Sequence, residues 1–235
     1  MPDTLFYFPN IQINKQLPEE ESHHIVRVLR MNEGDAITIS DGKGYFYDCR
    51  IIQAHPKHCM LEVEKKYFQS LSWNFTLEIA FAPTKNMDRN EWFCEKATEI
   101  GINSLIPFKT DFSERKEIKT ERLKKISIAA MKQSKQSFLP NILEMKSFDE
   151  VISKDFLGQK FIAHCYKFEK KSLATEYKKG NNALILIGPE GDFSEEEVQK
   201  AIRRGFTPIS LGENRLRTET ACLAACHTIH VINQL

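Results

Sequence analysis

ALILIGPEGDFSEEEVQKAIRRGFTPISLGENRLRTETACLAA, residues 183–225, sets two apolar runs ahead of two polar, glycine-bearing turns, and each turn leads into a helical stretch. The run from Ala183 to Ile187 is continuously apolar, as expected of a strand covered on both faces. Beyond it, Gly188 and Gly191 leave room for the chain to turn and for a ligand to lie against main chain, and Pro189 biases Gly188 away from helix. Ser194 and Glu197 have the spacing of a capping box, so a helix is expected to start there, with Glu195 and Glu196 at its positive end and Gly205 as its stop. The pattern then repeats. A strand is expected at 207–211, followed by the loop LGENRLRTETA and a helix with Thr218 as cap and Glu219 in its first turn. Two consecutive strands that end in polar loops at one sheet edge describe the ligand-binding edge of a parallel α/β sheet.

Upstream, the same alternation continues. Strands are expected at 76–82, 104–108 and 160–164, with helices at 89–100, 121–136 and 195–204. The first 70 residues have a different period. DAITISDGKGYFYDCRII alternates about Asp41-Gly42-Lys43-Gly44, which is hairpin chemistry, and a further strand is expected at 58–64. EEESHHIVRVLRMNEG predicts a short helix capped by Ser22 with Ile25, Val28 and Leu29 on one face. The expected organisation is a small barrel-like β domain at 1–70, a linker at 65–74 whose ends are loosely set, and an α/β domain at 75–235.

Composition narrows the class of protein. The 235 residues are 41% hydrophobic and 28% charged, as in ordinary globular chains. No run approaches the roughly 18 apolar residues of a membrane-spanning helix, and MPDTLFYFPN lacks a secretory signal's features, so a cytoplasmic protein is expected. Cys49, Cys59, Cys94, Cys165, Cys222 and Cys226 are scattered, which favours reduced thiols. A net charge of +1 hides local unevenness. Residues 112–136 hold eight basic side chains against three acidic, a local +5 that suits either a solvated helix face or a nucleic-acid surface.

The turn at 188–194 is a poor phosphate cradle, because three glutamates occupy the helix start. GxxxxGK[ST] is absent, and the one GxG lies in a hairpin, so nucleoside triphosphatase and dinucleotide-binding readings fail. A neutral or cationic small molecule fits better. Arg215 and Arg217 project from the second loop. The final helix is apolar nearly all round from Ala221 to Cys226, so burial in the core or against a second copy is expected, and we expect a homodimer interface there. Cys222, Cys226 and His230 recur at i, i+4 and i+8 without an accompanying CxxC, and no metal site is expected.

Taken together, IGPEGDFS at 187–194 and LGENRLRTETA at 211–221 resemble the S-adenosylmethionine-binding motifs of SPOUT methyltransferases, specifically the RsmE family, which methylates N3 of a uridine in 16S ribosomal RNA. HHIVRVLRMNEGDAITISDGKG resembles that family's PUA-like RNA-binding barrel, and KATEIGINSLIPF with AAMKQSKQSFLP resembles its middle segment. The resemblance implies an α/β fold with a SPOUT-type parallel sheet and C-terminal trefoil knot, preceded by the PUA-like β-barrel, and a dimer formed around the knot. It implies S-adenosylmethionine held by Ile187, Gly188, Pro189, Glu190, Gly191, Leu211, Gly212, Leu216 and Thr218. It also implies Arg217 stabilising a uracil oxygen, Glu190 or Glu219 accepting the N3 proton, and RNA gripped by Arg27, Arg30, Arg115, Lys132 and Lys135. The chain departs from the family pattern at Asp192, where glycine is frequent, at Asn214 and Arg215, and at Gln136, where arginine is common. A related methyltransferase with another RNA target and a non-catalytic ribosome-assembly protein are the alternatives.

Overall fold

The computed structural model describes residues 4–167 and 169–235. The chain forms two compact units, one of residues 1–72 with 128–139, the other of residues 73–127 with 140–235. The segment 128–139, which the sequence reading keeps with the α/β domain, is grouped with the N-terminal unit. The first three residues of the expected N-terminal domain lie outside the described residues.

The N-terminal unit holds strands β1 (Leu5–Tyr7), β2 (Ala36–Ser40), β3 (Tyr45–Gln53) and β4 (Met60–Phe68) in one sheet of order β1-β2-β3-β4. The β2–β3 hairpin turns at Asp41, whose Oδ1 accepts the amides of Lys43 at 2.8 Å and Tyr45 at 3.1 Å. Short-range side-chain bonding of this kind is why aspartate marks such turns. Strand β4 runs on to Phe68, so the first residues of the expected linker are paired with β3 instead. Helix α1 (Glu19–His23) leads into a π-helical turn at His24–Val28. Ser22 does not cap α1. It lies inside α1, which Pro18 precedes, and its buried hydroxyl donates to the Leu17 carbonyl at 3.2 Å and accepts the Cys59 amide at 3.0 Å. Ile25 enters the core, whereas Val28 and Leu29, expected beside it, are exposed. The π turn breaks the 3.6-residue period on which that expectation rested.

The second unit is built on β5 (Leu77–Phe81), β6 (Ser104–Lys109), β7 (Asn141–Ile142), β8 (Lys146–Ser147), β9 (Gln159–Ala163), β10 (Lys171–Ser172), β11 (Ala183–Ile187) and β12 (Thr207–Ser210). Their order is β10-β12-β9-β11-β5-β6-β7, with β8 also on β6, and every pairing is parallel. Helices α2 (Met87–Ile100), α3 (Thr120–Gln133), α4 (Phe148–Ile152), α5 (Leu173–Glu176), α6 (Glu195–Arg203) and α7 (Thr218–Gln234) complete the chain. The all-buried β11 shows why its sequence reads as a continuous apolar run. Ala183, Ile185 and Ile187 face a core shared with Phe93, Cys222 and Ile229, while Leu184 and Leu186 face another shared with Phe148, Phe193 and Val198. Helices therefore cover both sides of the sheet, as a parallel sheet requires.

The sheet order has an unusual crossing. Strand β12 lies between β9 and β10, both of which precede it in the chain. Lys171 and Ser172 of β10 stand level with Ile209 and Ser210, at the carboxyl end of β12. At the other end of α7, His230 Nε2 lies 2.7 Å from the Gly101 carbonyl and its ring packs on Trp73 and Phe75. Burial holds that imidazole below its ordinary pKa, and Cys226 Sγ reaches the same carbonyl at 3.6 Å. The thiol and imidazole that share this helix face are thus occupied in closing α7 onto the end of α2.

Candidate functional site

The loops after β9, β11 and β12 enclose a cavity of about 1130 Å³ at the carboxyl edge of the sheet. Each strand delivers its loop to the same edge because all three run parallel. Of the residues expected at a small-molecule site, Ile187, Gly188, Pro189, Glu190, Leu211, Gly212, Leu216 and Thr218 line the cavity. Gly191 is outside the lining. A Cβ on it would meet the Phe112 Cβ at 3.0 Å, so its missing side chain serves contact with the loop after β6. Gly188 has a different reason to be glycine. A Cβ there would lie 3.0 Å from the ring of Phe193, which fills the core directly beneath the loop.

Thr218 corrects the sequence reading. The position preceding α7 is Arg217, without a side-chain cap, and the Thr218 hydroxyl donates across to the Gly188 carbonyl at 3.1 Å. A second bond joins the same loops, from the Arg215 guanidinium to the Glu190 carbonyl at 3.0 Å. The Glu190 side chain accepts the Lys85 amide at 3.2 Å. Gly212 closes the second loop at φ +140°, a conformation unfavourable for any residue with a Cβ, with nothing within 4 Å of where one would stand.

Asp192 takes a left-handed conformation, φ 66°, at the position where the resemblance leads one to expect glycine. Its carboxylate compensates: Oδ1 accepts the Phe193 amide at 2.8 Å and Oδ2 accepts the Cys165 amide at 2.7 Å, which joins the loop after β9 to the loop after β11. Lys170 folds back onto the carbonyls of His164, at 2.5 Å, and Tyr166, at 2.8 Å. His164, Cys165, Lys170, Ser172 and Asp192 line the cavity and were missed from sequence. The strand expected at 160–164 ends at the binding edge, so the rule that ligands gather there would have found them. Burial, with the nearby Lys170 charge, holds the His164 imidazole below its usual pKa.

Three residues were candidates for chemistry. Arg217 lines the cavity, is exposed, and among the described residues its guanidinium has no hydrogen-bond or ion-pair partner. Glu190 lines the cavity as well. Glu219 does not: its Oε1 lies 3.7 Å from Arg89 Nε, and its buried Oε2 has no hydrogen-bond partner among the described residues. Among the described residues, the basic partner of Glu219 is Arg89.

The basic residues divide similarly. Arg27, Arg30 and Lys135 are exposed, the last two with φ of 57° and 54°. Arg115 is held within the chain, donating to the Thr84 carbonyl at 2.9 Å and to the Lys85 carbonyl. Lys132 pairs with Glu21 at 3.0 Å and stands 5.7 Å from the Phe6 ring centroid. Among the described residues no helix is long and apolar enough to cross a membrane.

Two family models match the chain. Residues 72–230 match the model of the RNA methyltransferase domain, and residues 17–64 match that of the RNA methyltransferase PUA domain. Ribosomal RNA small subunit methyltransferase E of Bacillus subtilis (strain 168) is 30% identical over 233 residues, covering 92% of this chain and 89% of its own. The crystal structure of a probable rRNA-methyltransferase from Porphyromonas gingivalis superposes with a TM-score of 0.94 at 42% identity, over 98% of each chain. A ribosomal RNA small subunit methyltransferase E from Neisseria gonorrhoeae, solved bound to S-adenosyl methionine, gives 0.85 at 25% identity over 97% of each.

Proposed function

The chain belongs to the ribosomal RNA small subunit methyltransferase E family, and from that membership we propose that it transfers a methyl group from S-adenosylmethionine to N3 of a uridine in 16S ribosomal RNA. The observation that carries this is the convergence of the loops after β11 and β12 on one cavity, walled by Ile187, Leu211 and Leu216 and by glycine main chain. The cavity suits the donor. Its volume of about 1130 Å³ is ample for a nucleoside-sized ligand. Its carboxylates, Glu190, Asp192 and Glu213, complement a sulfonium and an ammonium rather than phosphate. When bound, S-adenosylmethionine supplies an electrophilic methyl carbon.

The residues around it do the rest. Uracil N3 carries a proton that titrates in the range of Tyr and Lys, so the site must take up that proton or stabilise the resulting anion. Arg217 holds a uracil carbonyl oxygen as negative charge develops, a preorganised contact of the kind that often dominates catalysis. Glu190 accepts the proton directly or through water, its placement in the cavity wall favouring it over Glu219. Arg27, Arg30 and Lys135 engage phosphates, so RNA affinity is expected to fall steeply with salt.

A homodimer through α7 belongs to the same reading. Ala221, Leu223, Ala224 and Ile232 remain only half-buried and Val231 is exposed, which leaves apolar surface for a second copy. So does the trefoil knot, supported by the entry of β12 between β9 and β10. Acting on ribosomal RNA places the protein in the cytoplasm.

The test of the reaction is to incubate the protein with labelled S-adenosylmethionine and small-subunit RNA, naked and assembled. The modified position is then mapped in ribosomal RNA from cells with and without the protein. Label on N3 of one uridine is expected; no transfer to either substrate sinks the proposal. The loop–loop bond has its own test. Thr218→Val removes a buried hydrogen bond and strands the Gly188 carbonyl, a loss of about 1–3 kcal/mol. Donor binding is expected to weaken about tenfold by titration calorimetry; an unchanged Kd would mean that the brace contributes nothing to the pocket.

A further inference from the structure

Phe112 is 51% exposed at the tip of the loop after β6. A single exposed apolar side chain is ordinary on a protein surface. What sets this one apart is how firmly its neighbours are held. On one side, the Asp111 amide donates to Glu197 Oε1 at 3.0 Å, and the Ser194 hydroxyl donates to Asp111 Oδ2 at 2.9 Å, which ties the loop to the capped start of α6. On the other, buried Ser113 accepts the Thr110 amide at 2.9 Å and Arg115 is fastened to the carbonyls of Thr84 and Lys85. Burial, the largest influence, raises the Glu197 carboxyl above its usual pKa, and its two oxygens are shared between Ser194 and Asp111. Asp111, Ser113 and Arg115 are thus bonded into the fold on either side of Phe112, whose ring is left half exposed.

The position of the ring is as informative as its rigidity. Phe112 packs against Gly191, on the outer side of the loop whose Pro189, Glu190 and Asp192 line the cavity. Two exposed residues with basic side chains adjoin this same loop: the Lys85 amide donates to the Glu190 side chain while its ammonium pairs with Glu114 at 3.0 Å on the surface, and one guanidinium nitrogen of Arg215 donates to the Glu190 carbonyl. A rigid aromatic face beside positive charge, next to a pocket that works on a nucleobase, has the chemistry of a stacking platform for unpaired bases.

We propose that Phe112 stacks against an RNA base flanking the methylated one, holding it out of its helix while Lys85 and Arg215 face the adjoining phosphates. The inference rests on the proposed action on RNA and adds a positioning residue to it. The ring touches a neighbour of the target base and takes no part in the chemistry.

Full-length wild type and Phe112→Ala, Phe112→Leu, Phe112→Tyr and Phe112→Trp are compared by equilibrium binding to a small-subunit RNA fragment, by methyl-transfer kinetics on naked and assembled substrate, and by calorimetric binding of S-adenosylmethionine. Phe112→Ala is expected to weaken RNA binding and raise KM for RNA roughly tenfold, the usual effect of losing one base–aromatic stack. Donor affinity and Tm should be unchanged. Tyr and Trp should restore binding and Leu should not, with the emission of the introduced Trp quenched on RNA addition. Wild-type RNA affinity in Phe112→Ala overturns the proposal. So does full rescue by Leu, which signals apolar contact alone, and so does a defect seen only with the assembled subunit, which signals a ribosomal protein. If wild type binds the RNA but transfers no methyl group, the functional reading falls and the binding series alone decides on stacking.

Discussion

Arg217→Ala is expected to lower methyl transfer by roughly 10²–10³-fold at saturating donor and RNA, the scale of removing one preorganised oxyanion contact. The structure separates Arg217 from its neighbours. Arg215 gives one guanidinium nitrogen to the Glu190 carbonyl and Arg115 is bonded to the carbonyls of Thr84 and Lys85, so neither can turn onto a base in the cavity without breaking the loops. Arg217 faces the same cavity with its guanidinium uncommitted among the described residues. Because it enters α7 through its backbone alone, loss of its side chain should leave the helix start and Tm nearly intact. Arg217→Lys should recover only part of the rate, since an ammonium cannot reproduce a planar two-donor fork. Single-turnover rates with calorimetric donor affinity make the measurement. Near-normal turnover in Arg217→Ala, with RNA still bound, would remove Arg217 from the chemistry.

The largest loss of stability is expected from Phe193→Ala. The Phe193 ring is fully buried, stacks near Phe108 and Phe148 with centroids 6.2 and 5.9 Å away, and supports Gly188 from below. Truncating a core phenylalanine costs about 3–5 kcal/mol, because the cavity left behind collapses only partly. For a chain of this size, that is a fall in Tm of roughly 6–20 °C. Calorimetric melting measures it directly. Residual folded protein should also bind the donor more weakly, since the loop over the vacated space loses its floor. A Tm within a degree or two of wild type would show that the surrounding side chains close the gap.

Much of this site was legible in the sequence because the features that build it are local. The apolar run at 183–187, the Ser194–Glu197 cap and the Gly205 stop each declare themselves within a few residues, and the structure has all of them. Where sequence reading failed, a distant partner had claimed the group. Thr218 looks like a cap until Gly188, 30 residues earlier, is brought within reach of its hydroxyl. Ser22 is drawn to Cys59. Arg115 and Lys132 count as free positive charge in a tally of residues 112–136, yet Thr84, Lys85 and Glu21 occupy them. Strands β7, β8 and β10 escaped detection for a different reason: two residues cannot carry a period.

The insertion of β12 between β9 and β10 bears on when the protein first becomes active during its own synthesis. Among the described residues β10 pairs with β12 alone, so a nascent polypeptide that has emerged only as far as α6 presents β10 unmatched and β9 with one open side. Leu211, Leu216 and Arg217 emerge later still. A nascent length that stops short of these residues lacks part of the cavity's wall, and the pocket is assembled only once β12 and the start of α7 have emerged.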